Sequence, residues 1–254
     1  MKQKMRRISP AFTRSELLVV ILVVVVVFVL AAALMLPLLA TATAKSPRIA
    51  CINNLKDIGT AYRLWQDDHG DLRPSHQTVK NGGWGDFLTN ADEGTICWTN
   101  YVIMQEELGE SPKLLACPSD KRKAAADFTN DFKDNTHVSY FVGVGANDIY
   151  PQSIAGGDRN LGPGTKPDSD YGFSPKSGKG NDVIIPVSGP VSWSLKMHSA
   201  GNAAGAGNIL LGDGSGQQVS SASFNRIWLP NAPGADIWPA GHIPATPSIR
   251  LVFP

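Results

Sequence analysis

The chain has 254 residues, enough for one sizeable domain or two small ones with a buried core. Lys and Arg total 23 against 22 Asp and Glu, a formal net charge of +1, so the basic excess expected of a nucleic-acid-binding protein is missing. The 25 glycines and 18 prolines argue against a helical bundle or coiled coil, and three cysteines are too few for a disulfide scaffold.

In chain order, the first feature is a short basic segment carrying Lys2, Lys4, Arg6, Arg7 and Arg14. It is followed by residues 17–36, where no polar side chain occurs. An apolar helix of about 20 residues crosses the hydrocarbon layer of a bilayer. The cations precede this run and the first charge after it is Lys45, which predicts a cytoplasmic N-terminus and an exported remainder. The run is longer than the apolar core of a cleaved secretory signal, although Ala42-Thr43-Ala44 has the small residues of such a site. Glu16 stands at the border of the apolar run, where a carboxylate is costly unless paired and is favoured by the dipole of a helix start.

Past Pro47, residues Cys51, Leu55, Ile58, Tyr62 and Trp65 recur at helical spacing on one stripe. With the membrane segment they predict one long helix, broken or bent near Pro37 and Pro47, whose exported half lies across a sheet. Asp67-Asp68-His69-Gly70 supplies its end, with Gly70 in a left-handed cap. Segments 140–144, 183–187, 208–211 and 217–220 read as short strands, the last two joined by the turn Gly212-Asp213-Gly214-Ser215-Gly216. Residues 156–181, rich in Gly, Pro, Ser and Lys, predict a long surface loop. The last twenty-five residues contain six prolines and predict an extended tail with no helix and no central strand.

The stretch Pro10-Ala11-Phe12-Thr13-Arg14-Ser15-Glu16-Leu17-Leu18 resembles the N-terminal signal of type IV prepilins and type II secretion pseudopilins. There a basic leader ends in a small residue, Phe follows, and Glu is fifth in the mature chain. Ala11 stands where the family usually has Gly, and Arg14-Ser15 where it has an apolar pair. The resemblance implies cleavage between Ala11 and Phe12 by a prepilin peptidase, N-methylation of Phe12, and retention of the helix as anchor and assembly spine. It also implies a role for Glu16 in assembly, where its carboxylate would meet the Phe12 amino group of a neighbouring subunit. The segment Cys51-Ile52-Asn53-Asn54-Leu55-Lys56-Asp57-Ile58-Gly59, with Cys117-Pro118-Ser119-Asp120 and a late His198 and Asp213-Gly214, is similar to one large group of bacterial pseudopilin-like proteins with a terminal His…Asp-Gly signature. In this chain fourteen residues separate the two ends of that signature, the excess lying in the Ala/Gly-rich residues 200–207. The group's recurring cysteines imply a bridge between Cys51 and Cys117, permitted in an exported domain, with Cys97 left over and buried.

Together these features predict an α+β, pilin-like fold: leader 1–11, transmembrane helix and spine 12–47, and an exported domain 48–254 with a small antiparallel sheet and long irregular loops. The expected function is that of a structural pseudopilin-like subunit of a type II secretion or type IV pilus-like assembly. It would sit in the inner membrane as a single-pass protein, with the prepilin peptidase, other pseudopilins and the membrane as partners. The same layout fits a single-pass anchored surface binding module that does not polymerise. Asp213-Gly214 reads as a turn and His198 as a hydrogen-bonded histidine rather than as halves of a catalytic or metal site. Asp67, Asp68, His69 and Asp71 lack the spacing of an acidic calcium loop. No nucleophile elbow, zinc-type Cys/His spacing or phosphate-binding glycine loop occurs, so neither an enzyme nor a cofactor is expected.

Overall fold

Thr13 and Glu16 make a capping box at the first turn of α1 (Arg14–Asp68): the Glu16 N–H donates to Thr13 Oγ1 at 3.3 Å, while the Thr13 N–H and hydroxyl donate to Glu16 Oε2 at 2.9 and 2.8 Å. These coordinates are a computed structural model that describes residues 13–88, 96–175, 183–187, 189–199, 204–229 and 249–254. Ala11 and Phe12 lie outside the described residues. Two compact units divide the chain, Met1–Ser46 and Pro47–Pro254, and α1 contributes to both. In the first unit, Arg14–Met35 is long and apolar enough to span a membrane. Its Leu, Val, Ile and Phe side chains are exposed. Neither Pro37 nor Pro47 ends α1, where the sequence suggests a break or bend. Each proline removes one ladder hydrogen bond, and the bonds on either side maintain the helix.

In the second unit, the stripe Cys51, Leu55, Ile58, Tyr62 and Trp65 is buried, while Asn53, Lys56, Asp57 and Arg63 are exposed. Gln66 O accepts from the His69 and Asp71 N–H groups, and Gly70 takes φ +67° to end the helix. Gly59 lets the helix approach the sheet. A Cβ there would sit 2.9 Å from Leu210 Cδ1 and 3.0 Å from Gly214 Cα.

The strands are β1 (Tyr140–Gly143), β2 (Ile154–Asp158), β3 (Leu161–Pro163), β4 (Val183–Val187), β5 (Val191–Trp193), β6 (Gly207–Leu211), β7 (Gly216–Val219) and β8 (Ile249–Phe253). Six form an antiparallel sheet of order β4-β8-β1-β2-β6-β7, and β3 pairs with β5 apart from it. Period-two alternation gives the sheet two buried faces. Tyr140, Val142, Leu210 and Val252 pack with the α1 stripe and with Cys97, Tyr101 and Met104 from α2 (Ile96–Ile103) and its end. Phe141, Ile209, Leu211, Leu251 and Phe253 pack on the other face with Trp193, and with Phe224 and Trp228 of α3 (Ser221–Ile227) and its end. The fold is therefore α+β, with one long apolar N-terminal helix and a small antiparallel sheet.

Two expectations are corrected. Residues 249–253 are not part of a strandless tail: β8 is a central strand between β4 and β1. Pro247 and Pro254 bracket it, and Ile249-Arg250-Leu251-Val252-Phe253 contains no proline to interrupt the ladder. Nor does a surface loop start at residue 156, since β2 runs to Asp158 and β3 follows, both largely buried. Gly156 and Gly157 are needed there because neighbouring chain lies close. A Cβ on Gly157 would sit 2.6 Å from the Phe141 ring. Pro186 is tolerated because β4 is an edge strand.

Candidate functional site

Four elements deliver side chains to one buried point. The α1 stripe carries Cys51, the loop after the turn Pro112–Leu115 carries Cys117, β2 ends in Asp158, and the turn Met197–Ser199 presents His198. Met197 takes φ +56°, a left-handed conformation uncommon outside glycine, directly before the histidine. Cys51 and Cys117 form a disulfide with their Cα atoms 5.3 Å apart. His198 Nε2 lies 3.5 Å from Cys117 Sγ and 3.2 Å from Asp158 Oδ2. The Asp158 carboxylate is fully enclosed. Its Oδ2 accepts from Asn208 N at 2.7 Å and Asn208 Nδ2 at 2.9 Å, whereas its Oδ1 has no hydrogen-bond partner among the described residues. Arg48 donates to the His198 main-chain oxygen, and Asn160 Nδ2 donates to Lys196 O and Ala206 O, bracing the chain on either side of the histidine.

A second buried network begins one residue later on the same chain segment. Arg159 grips Asp120 with two hydrogen bonds, Nε to Oδ2 at 2.6 Å and Nη2 to Oδ1 at 2.9 Å, and Ser139 Oγ donates to Oδ2 at 2.8 Å. The guanidinium lies 3.5 Å over the Tyr171 ring and donates to Ser174 Oγ. Ser174 and Arg122 both donate to the main-chain oxygen of Pro254, just beyond β8. Burial alone would raise the Asp120 carboxyl, but the Arg159, Ser139 and Arg122 donors and charges outweigh it and hold the group below the usual carboxylate range. Burial and the nearby Arg159 charge push Arg122 down to about 10.

The chain matches no family model, no curated protein and no solved structure.

His198 and Asp213 engage different partners among the described residues. His198 meets Cys117 and Asp158, while Asp213 Oδ1 accepts from Ser215 N at 2.8 Å in the β6–β7 turn. The histidine's ring therefore meets a carboxylate and a sulfur. Gly214 closes the turn at φ +77° against Arg63. Asn53 and Lys56 are exposed, Leu55 is core, and Asn54 Nδ2 donates to Ala116 O at 3.5 Å and Tyr140 Oη at 3.3 Å, tying α1 to the Cys117 loop. Asp67 and Asp68 are exposed at the helix end, and His69 stacks on Trp65 at 3.7 Å.

Sequence reasoning passed over Asp158, Arg159 and Asn160. The available signal was three consecutive residues of strong hydrogen-bonding capacity after a small-residue run, Gly156-Gly157-Asp158-Arg159-Asn160. Among the described residues, Cys51, Cys117 and His198 are the one group of three or more potential metal-binding side chains whose donor atoms converge, all within 4.8 Å of one another. With both sulfurs in a disulfide the cluster offers no free nucleophile, so its present chemistry is structural: it ties α1, the Cys117 loop and the His198 turn together.

Proposed function

We propose that this chain is a pseudopilin-like structural subunit: inserted by its N-terminal helix, trimmed between Ala11 and Phe12 by a prepilin peptidase, and packed helix to helix into a filament of a type II secretion or type IV pilus-like assembly. The observation that carries the reading is a basic leader ending in Ala11 and followed by Phe12, with Glu16 opening an apolar helix whose span Arg14–Met35 suits a bilayer. Trimming after Ala11 leaves Thr13 and Glu16 in the mature chain, so the capping box survives maturation. The box uses Oε2 of Glu16, and the carboxylate can still accept from a neighbour's amino group, because a carboxylate has about four acceptor positions. The protein then sits in the inner membrane with its N-terminus in the cytoplasm and the Pro47–Pro254 unit outside it. Head-to-tail contacts that do not close generate filaments.

A second reading, an anchored binding module that does not polymerise, has one observation in its favour. A recess of about 420 Å³ is lined by Lys121, Arg122, Lys123, His137 and Tyr171, a surface suited to an anionic ligand. Intact-mass and N-terminal peptide analysis in cells with and without a prepilin peptidase separates the two. The assembly reading expects a chain starting at methylated Phe12 only when the peptidase is present. Retention of residues 1–11 in both strains overturns it.

A further inference from the structure

We propose that Cys51, Cys117, His198 and Asp158 form a tetrahedral zinc site, which the chain occupies when its disulfide is reduced, so that a metal and a disulfide are alternative staples at one point of the fold.

The argument starts from distances between the donor atoms. Zinc binds thiolate sulfur at about 2.3 Å, imidazole nitrogen at about 2.0–2.1 Å and carboxylate oxygen at about 2.0–2.2 Å in a tetrahedron, which places sulfur and nitrogen about 3.5 Å apart and nitrogen and oxygen about 3.4 Å apart. In this chain His198 Nε2 lies 3.5 Å from Cys117 Sγ and 3.2 Å from Asp158 Oδ2. Cys51 Sγ, Cys117 Sγ and the His198 nitrogen all fall within 4.8 Å of one another, whereas Asp158, which lies outside that converging group, supplies the fourth ligand from the histidine's side by turning its carboxylate toward the sulfurs once the disulfide opens. The outer contacts also suit a metal. The Ser119 N–H donates to Cys117 Sγ at 3.4 Å, two residues along a Cys-Pro turn, a bond that stabilises a thiolate. Asn208 fixes the Asp158 carboxylate with two donors, and its unpartnered Oδ1 leaves lone pairs free in a buried place. Two thiolates and a carboxylate around a divalent cation carry one net negative charge, and Arg48, donating to the His198 main-chain oxygen, brings a positive charge beside it.

The two states interconvert by balanced steps. A dithiol reductant transfers its electron pair and two protons to the disulfide, yielding two protein thiols and leaving as its own disulfide. Binding of the ion then releases both thiol protons, because thiolates are the ligands. In the exported compartment, oxidation returns the electrons to an acceptor disulfide and expels the ion. Because the donors are enclosed, the metal enters while this part of the chain is still folding.

Cobalt(II) reports the geometry directly. The full chain in detergent micelles, unfolded, reduced with a phosphine and refolded with cobalt chloride, is expected to take up one ion per chain. It should show the visible bands of tetrahedral cobalt together with thiolate-to-cobalt charge transfer, and the oxidised chain should show neither. His198→Ala is expected to weaken cobalt binding by more than about a hundredfold, since losing even an outer contact costs about 10- to 100-fold. Asp158→Asn should change the visible bands. Circular dichroism on the same samples covers the case in which the reduced chain fails to fold without metal, since cobalt should then restore the spectrum in the parent and not in His198→Ala. Absence of tetrahedral bands in the reduced parent overturns the proposal. So does equal cobalt affinity in His198→Ala, which would mean that the cysteines bind without the folded site.

Discussion

Replacing Asp120 with Ala should destabilise the Pro47–Pro254 unit by about 3–5 kcal/mol, the cost of leaving one member of a buried ion pair without its counter-charge. The side chains of Asp120 and Arg159 are 0% and 2% exposed, so water cannot replace the lost carboxylate. The substitution strands Arg159 Nε and Nη2 and the Ser139 hydroxyl, three donors now satisfied at 2.6, 2.9 and 2.8 Å. Hydrogen bonds to charged groups contribute about 1.5–3 kcal/mol each, and because they share one acceptor group the total falls below their sum. Set against a typical stability of about 5–15 kcal/mol, the loss is large. Urea unfolding of the full chain in micelles, followed by the fluorescence of the buried Trp65, Trp84, Trp193 and Trp228, measures it. Asp120→Leu combined with Arg159→Met should recover most of the loss, because an apolar pair of similar volume carries no desolvation cost. The pH dependence supplies an independent arm. The Asp120 carboxyl is held below its ordinary value, so its contribution is fully present above the unfolded carboxylate range and disappears as pH falls through the folded value. The parent should therefore lose stability in acid more steeply than Asp120→Ala. A loss under about 1 kcal/mol, as for an exposed pair, or an unchanged acid slope, would refute the reasoning.

Three further predictions concern the α1 stripe and its neighbours. Gly59→Val places a Cβ 2.9 Å from Leu210 Cδ1 and 3.0 Å from the Gly214 backbone. It should lower stability by about 1–3 kcal/mol through overpacking, read by the same urea titration. Changing Cys51 and Cys117 together to Ser opens a link between residues 66 apart and should lower stability by up to about 4 kcal/mol on the chain-entropy estimate. A loss below about 1 kcal/mol would mean that the His198 cluster holds the loop without the bridge. Burial pushes the Tyr62 hydroxyl up to about 12. Its stabilising share is present below the ordinary tyrosine value near 10 and is lost as pH rises toward 12, so Tyr62→Phe should flatten alkaline unfolding followed by circular dichroism.

The helix stripe was legible because five residues repeat at helical spacing, and all five are buried. The β6–β7 turn was legible because Asp-Gly favours one geometry. What the sequence hid was position in the sheet. The run Ile249 to Phe253 is too short to stand out among flanking prolines, and its central place comes from pairing with β4 and β1, residues more than a hundred positions away in the latter case. The small residues of β2 read as loop, yet they are small because Phe141 and β6 lie against them. The same long-range pairing brings Asp158 to His198, so the carboxylate partner of the histidine could not be chosen from the sequence, where Asp213 was the nearer candidate.

Placing β8 in the interior of the sheet fixes an order of events for a chain that emerges from its N-terminus. The strands β1, β2, β6 and β7 are contiguous neighbours in the sheet and can zip together as soon as β7 is out. Among the described strands, the edge strand β4 pairs with β8 alone, so it waits unpaired until residues 249–253 arrive and slot in beside β1. The last described residues thus act as a keystone. Until they are in place, the Pro254 oxygen cannot engage Ser174 and Arg122, and a nascent or clipped chain that lacks them leaves the facing edges of β4 and β1 open, templates on which another chain can pair.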